Sequence, residues 1–292
     1  MEAPALRPRL GVPLTAPTAA VGTPGAGVPA APPKLALVPN AVLAEREDLT
    51  PDVARLVVRP DGGVRSFEPG QYFSLGLTLG GRPVLRPYST ASRRGATDAL
   101  EFLVRRVATG SFTPSLWQLT VGERLWIGPP KGLFRLERAD SRTHLLVSAG
   151  TGIAPFISMI PELVGDEGAT GPEPRPRVVV AHGVSYESEL AYRPWLESLT
   201  GEHAALVYAP TVSRPDAPEN SGWSGRVGRV ERILPSLWAE LGLAASDTVA
   251  YLCGNPDMVE SSRRLLLELG MPAGAIIHEN YWAAPAGAAP AR

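Results

Sequence analysis

The sequence predicts a chain in two folded parts: an antiparallel β-barrel or sandwich, then a doubly wound parallel sheet with its helices. Three observations lead there. Up to about residue 138, short β-like runs follow one another with Gly and Pro between them. Beyond the polar "RADSR" (138–142), apolar runs alternate with segments at helical spacing. Three of those later runs end in residues unusual for a strand terminus: Gly150-Thr151-Gly152, Ser213-Arg214 and Cys253-Gly254-Asn255.

In the first part the strand-like runs are "VARLVV" (53–58), "QYFSLGL" (71–77), "LEFLVRRV" (100–107) and "ERLWIG" (123–128), with helical spacing only around 115–119. In the second, "THLLVSAG" precedes "IAPFISMIPEL", and "RVVVAHGV" precedes "ELAYRPWLESL". "AALVYAPTV" precedes a Gly-rich loop and "VERILPSLWAEL", and "TVAYLCG" precedes "PDMVESSRRLLLELG". "IIHENYW" (276–282) ends the folded region as a last strand.

A chain of 292 residues has room for two such domains, expected at 35–138 and 139–282. Hydrophobic content of 44% and a net charge of −1 describe a globular protein without the basic surplus of a nucleic-acid binder. No apolar run approaches the roughly 18–20 residues of a membrane span. The single cysteine, Cys253, excludes an internal disulfide and a cysteine-ligated cluster, so no metal is expected, and it fits a reducing cytoplasm. Residues 1–34 are rich in Pro, Ala and Gly and are expected to form a disordered leader, as 283–292 a flexible tail. Pro13, Pro17 and Pro24 interrupt any signal-peptide core there.

Several stretches carry chemistry. "VLRPYSTAS" (84–92) places a guanidinium, a phenol and three hydroxyls side by side. "SAGTGIAPF" (148–156) ends a strand in two glycines and opens a helix, where unpaired N–H groups favour a phosphate, although ordinary tight turns share the spacing. "PTVSRPDAPENSGWSGRVGR" (210–229) offers Ser213, Arg214, Arg226 and Arg229, and arginine forks match phosphates. In "TGSFTPSLWQL" (109–119), Thr113 reads as an N-cap with Pro114 at the first helical position, either a plain cap or a second anion cradle. Cys253, ending an apolar strand without a paired base, reads as a small hydrophobe rather than a nucleophile. Tyr281 and Trp282, adjacent in a strand, point to opposite faces and do not share one core.

Together these motifs resemble the ferredoxin–NADP+ reductase family over essentially all of 35–282. "RPYS" is similar to its flavin motif, "GTGIAPF" to its nicotinamide-nucleotide loop and "CGNPDMV" to its closing strand-turn-helix. "HGVSYESELAYR" (182–193) and the terminal "YW" resemble the bacterial branch, which also takes flavodoxin. The resemblance implies an FAD-binding β-barrel followed by an NADP(H)-binding α/β domain. It implies that Tyr88 lies on one flavin face, Ser89 near the hydride-exchanging N5, and Arg86 and Thr113 at the FAD pyrophosphate. The backbone of Phe102, Leu103 and Val104 would contact flavin or ribityl, Tyr281 would cover the other face, and Trp282 would stack on adenine. Gly150, Thr151, Gly152, Ser213, Arg214, Arg226, Cys253, Gly254 and Asn255 would bind NADP(H), with Ser89, Thr151, Cys253 and Glu279 lining the nicotinamide slot. Tyr281 would occupy that slot until nicotinamide displaces it, leaving Ser89, Cys253, Glu279 and Tyr281 as the residues at the reacting atoms.

The implied activity is hydride exchange with NADP(H), which requires reacting atoms about 3–3.5 Å apart, and delivery of single electrons to a ferredoxin or flavodoxin. Such carriers are acidic, and between Arg82 and Arg142 eleven Arg and Lys face five acids, the makings of a basic docking face. The resemblance further implies a monomer in the cytoplasm. Two departures stand out: Ser185 occupies a position where bacterial members often carry an arginine for the 2′-phosphate, and the chain continues ten residues past Trp282. Alternatives are an oxygenase reductase component, a free-flavin or ferric reductase, and a non-enzymatic flavin-binding regulatory subunit.

Overall fold

The computed structural model of the protein describes residues 37–137, 139–165 and 175–281. The leader, the tail and Trp282 lie outside the described residues. The first half is built from β1 (Ala41–Thr50), β2 (Val53–Pro60), β3 (Tyr72–Leu79), β4 (Arg82–Ser89), β5 (Leu100–Arg105), the short helix α1 (Phe112–Trp117) and β6 (Arg124–Ile127). These form a six-stranded antiparallel sheet in the order β4-β3-β6-β1-β2-β5. Its two ends meet where Thr90 bridges to Phe102 and the Ala91 N–H donates to the Glu101 carbonyl at 2.9 Å, closing a barrel and removing the open edges.

Alternation explains which residues fill it. From β2, Ala54, Leu56 and Val58 point inward, and from β5, Leu100, Phe102 and Val104. Phe67, Phe73 and Phe102 pack edge to face, with centroids 5.7 and 6.2 Å apart. Leu103, between two inward residues of β5, is also buried, but against the second half of the molecule. A strand covered on both faces reads as a continuous apolar run, which is why Phe102-Leu103-Val104 shows no alternation. β4 carries Pro83 and Pro87, tolerable because its backbone pairs only with β3 until the closure at Thr90.

The second half consists of β7 (Thr143–Ala149), α2 (Ala154–Val164), β8 (Val178–Val184), α3 (Arg193–Glu202), β9 (Leu206–Val212), β10 (Arg226–Val227), α4 (Val230–Glu240), β11 (Thr248–Gly254), α5 (Pro256–Glu268) and β12 (Ile276–Asn280). All its strands are parallel, in the order β10-β9-β8-β7-β11-β12. Helices α2 and α3 pack on one face and α4 and α5 on the other. Helix α3 starts only at Arg193, after a separate turn at Glu187–Glu189, because Pro194 fits the first helical turn and not an interior. From β7 the chain winds outward to β10, then returns to place β11 on the other side of β7. The strand order therefore reverses between β7 and β11, the position at which such sheets open a ligand crevice at their carboxyl ends.

The halves share one core: Val53, Ala91, Leu103, Phe134 and Leu136 pack with Ile153, Phe156, Ile160 and Tyr251. Two polar ties cross the same seam. The Tyr192 hydroxyl donates to Glu101 at 2.6 Å, and Arg105 pairs with the buried Glu189 at 2.8 Å. Among the described residues no helix is long and apolar enough to cross a membrane.

Candidate active site

The crevice floor is made where three strand ends lie in register. Cys253 of β11 pairs with Ser148 of β7 on one side and with Glu279 of β12 on the other. After β7 the chain turns at Gly150, whose φ of +55° favours glycine. At Gly152 it passes so close to β11 that a Cβ would lie 2.2 Å from the Cys253 carbonyl oxygen. The two glycines are thus required for separate reasons, one conformational and one steric. Thr151, between them, sits in the first turn of a helical segment, where backbone N–H groups lack intrahelical partners.

Ser89, at the end of β4, reaches this floor from the barrel: its hydroxyl, buried, donates to Glu279 Oε2 at 3.1 Å, between residues 190 positions apart. Burial raises the Glu279 pKa, opposed by the Ser89 hydrogen bond. The Cys253 thiol is fully buried and pushed well up, first by burial and then by the Glu279 charge, so it stays protonated and is no nucleophile. Tyr281, tied through its N–H to the Gly254 carbonyl at 2.7 Å, puts its buried hydroxyl beside Ser89 and Cys253 without a well-formed hydrogen bond to either. Ser89, Cys253, Glu279 and Tyr281 therefore come together as one cluster in which burial disfavours the charged form of each titrating group.

Arg86 and Tyr88 share the other face of β4. Tyr88 stacks on Phe112 with centroids 6.2 Å apart, and burial raises its phenol above the usual range, keeping it neutral. Arg86 has no carboxylate partner among the described residues, and its Nη1 donates only to the neighbouring Leu85 carbonyl at 2.8 Å. Phe102, Leu103 and Val104 are all buried, with side chains committed to the two cores, so only their backbone is available to a ligand. Thr113 requires a correction: the N-cap of α1 is Ser111, and Thr113 lies inside the helix. Its Oγ1 accepts from the Val107 N–H at 2.8 Å and returns a bond to the Val107 carbonyl. The hydroxyl is spent on the loop before the helix, because the chain enters two residues earlier than Pro114 suggests.

The rim lies at the ends of β8 and β9. Ser213 directly follows β9, its N–H held by the Val184 carbonyl at 2.9 Å. Arg214 lies over the Tyr186 ring, 5.2 Å from its centroid, and donates to the Tyr186 hydroxyl. Arg226 is occupied elsewhere, gripped by both oxygens of Glu240 at 2.7 Å, so of Arg214 and Arg226 only Arg214 is without a carboxylate among the described residues. Asn255 caps α5, accepting from the Met258 N–H at 3.0 Å, and Gly254 passes within contact of Ala149.

Sequence reasoning missed Asn220, which is buried and ties both rim loops together. Its amide donates to the Ser185 and Arg214 carbonyls at 2.9 and 2.8 Å and accepts from the Glu187 N–H at 2.8 Å. No signal marked it, since an Asn in a Gly-rich loop is common turn chemistry. The basic face is narrower than the charge count implied. Arg105, Arg106, Arg124 and Arg142 are each ion-paired, while Arg82, Arg93, Lys131 and Arg135, besides Arg86, are without a carboxylate among the described residues.

Comparison with known proteins bears on this site. The family model of an oxidoreductase FAD-binding domain matches residues 40–136, and that of an oxidoreductase NAD-binding domain matches 146–264. The chain is 32% identical over 246 residues to a ferredoxin–NADP reductase B of Sorangium cellulosum, covering 83% of this chain and 97% of that one. It is 26% identical over 233 residues to an NADH-cytochrome b5 reductase 1 of Candida glabrata, covering 79% of each. Among solved structures it is similar to a ferredoxin NADP+ reductase from Neisseria gonorrhoeae with bound FAD and NADP, with a TM-score of 0.70 at 25% identity over 82% of this chain and 97% of that one.

Proposed function

This chain belongs to the ferredoxin–NADP reductase family of FAD- and NAD-binding oxidoreductases, and from that premise we propose that it exchanges a hydride with NADP(H) and single electrons with a ferredoxin or flavodoxin. The observation that carries the reading is the Ser89–Glu279 hydrogen bond across the seam, which joins the hydroxyl of the flavin motif to the acid of the last strand at the switch point of the sheet.

The residues present fit FAD. Arg86 offers an uncommitted guanidinium for a diphosphate, Tyr88 a neutral ring, and β5 backbone whose side chains are already packed. Bound FAD supplies hydride acceptance and its release as single electrons. The chain's own contribution is positional. Gly150 and Gly152 let the turn present its N–H groups to the coenzyme diphosphate. Cys253 and Thr151 shape the slot in which nicotinamide would sit, and Ser89 holds its proton toward Glu279 Oε2. Tyr281, whose hydroxyl lacks a strong bond, is free to give up that slot. Arg214 would take the 2′-phosphate, and Arg82, Arg93, Lys131 and Arg135 would meet an acidic carrier.

Ser185, where a cation would favour NADPH, supports a second reading in which NADH is the donor, as in the NADH-cytochrome b5 reductase of Candida glabrata. The test of both is a steady-state comparison of NADPH and NADH, each with ferredoxin, flavodoxin and free flavin as acceptors. The expected result is a preference for NADPH and for a protein carrier. A higher kcat/KM with free flavin would remove the carrier assignment, and a higher one with NADH would establish the second reading.

A further inference from the structure

His182 lies in β8 near the centre of the parallel sheet and has no accessible surface. Its strand is otherwise built from Val, Ala and Gly, so packing alone gives no reason for an imidazole. Its Nε2 is 3.0 Å from the Gly150 carbonyl oxygen, and its Nδ1 is 3.4 Å from the Tyr208 hydroxyl on β9. A carbonyl only accepts, so Nε2 must carry the proton, and the bare Nδ1 then accepts from Tyr208. Burial lowers the imidazole pKa to about 4, against the Gly150 bond and the Glu189 charge, so the ring is neutral and held in one tautomer.

Gly150 is the residue whose left-handed φ starts the glycine turn. A trans peptide is planar, with its C=O and N–H on opposite sides. Anchoring the Gly150 carbonyl on His182 therefore turns the Thr151 N–H away from His182. That N–H stands in the first helical turn, without an intrahelical partner. The geometry points to His182 as a positioning residue for nucleotide binding: it fixes the 150–151 peptide plane so that the Thr151 N–H is presented to the coenzyme diphosphate, and Tyr208 fixes its tautomer. The inference rests on the reading that the glycine turn takes that diphosphate.

The test uses the FAD-loaded full chain and the variants His182→Leu, His182→Gln and Tyr208→Phe. The NADP+ dissociation constant is read from the flavin difference spectrum, and amide deuterium exchange across 148–156 is read without nucleotide. His182→Leu is expected to weaken NADP+ by about fivefold or more and to speed exchange at the turn, the scale of one lost hydrogen bond. His182→Gln, whose amide N–H reaches as far as Nε2, should stay within about twofold of the parent, and Tyr208→Phe should fall between. Unchanged affinity and exchange in His182→Leu, or equal damage from Leu and Gln, overturns the assignment. If His182→Leu does not retain FAD, His182→Asn, whose N–H stops short of the carbonyl, takes its place in the comparison with Gln. If the parent itself gives no NADP+ difference spectrum, the proposed function fails, and the exchange data alone then decide the His182 contact.

Discussion

At the floor of the crevice, Ser89, Cys253 and Glu279 lie among backbones too close to admit a Cβ at Gly152, and burial holds their titrating groups toward neutrality. At the rim, Arg214 rests in solvent against one face of Tyr186, and Arg226 and Arg193 form partly exposed ion pairs with Glu240 and Glu187. The floor is specified by steric fit over long sequence separations. The rim is specified by charge on loops that Asn220 ties together. The difference separates two tasks. Hydride exchange demands sub-ångström placement, which only packing provides. Choice of coenzyme demands recognition of one phosphate, which charge provides at little structural cost.

The strongest way to break this division is Gly152→Ala. Its Cβ would meet the Cys253 carbonyl at 2.2 Å and Gly254 Cα at 2.9 Å, so β7 and β11 must separate at the reacting end. Misplacement on that scale is worth about a hundredfold in rate. Stopped-flow reduction of the bound flavin by NADPH should fall by that order while FAD content is unchanged. Gly222→Ala, on the rim, meets nothing within 4 Å and should leave the rate alone. A Gly152→Ala enzyme within about threefold of the parent would mean that close approach does not govern the floor.

Arg214→Ala tests the rim. A charge-assisted bond to phosphate is worth about 1.5–3 kcal/mol, so KM for NADPH should rise about tenfold or more with little change in kcat. NADH, which lacks the phosphate, should be unaffected. Equal losses for both coenzymes would assign Arg214 a structural role through Tyr186.

How much of this was legible in the sequence follows the same line. The barrel-then-sheet order, the glycine turn, Ser213-Arg214 beyond β9 and Asn255 opening a helix were readable because each is a local pattern with a local cause. The polar half of β1 and the proline-bearing β4 were not marked off, since an edge with one partner tolerates residues that propensity rejects. The N-cap was placed two residues late, at Thr113 instead of Ser111, because Pro at an early helical position is compatible with more than one entry. Arg226 was expected at NADP(H), and its pairing with Glu240 was not foreseeable, since that partner lies 14 residues on and faces it only once α4 has packed. The register that puts Glu279 beside Cys253 has no local signature either; it depends on the whole parallel sheet.

Tyr281→Ser joins the two regions. Its hydroxyl is buried without a firm bond, so the ring is held by packing alone. Removing it should let nicotinamide enter without help from binding at the rim. The ratio of kcat/KM for NADPH to that for NADH is expected to fall about threefold to tenfold. An unchanged ratio would mean that Tyr281 does not gate the slot and that the rim alone discriminates.

Glu279→Gln should have the smallest effect, and its sign is diagnostic. Burial raises the Glu279 pKa in the folded chain above its unfolded value. The folded state then binds a proton more readily than the unfolded one. Below the unfolded carboxylate pKa this makes no difference; as pH rises through the window between the two values the folded state loses stability, and above it the penalty is constant. Gln keeps an acceptor for the Ser89 hydroxyl but carries no charge. The variant should therefore melt about 2 °C or more above the parent at pH 8, with the gap closing as the solution is acidified. Melting curves of the two FAD-loaded proteins across pH 4–8 read this directly. A variant that melts lower at pH 8 would mean that the Ser89 hydrogen bond outweighs burial and that the floor stabilises the Glu279 carboxylate instead of penalising it. Charge would then serve the floor as it serves the rim, and packing would not be what separates them.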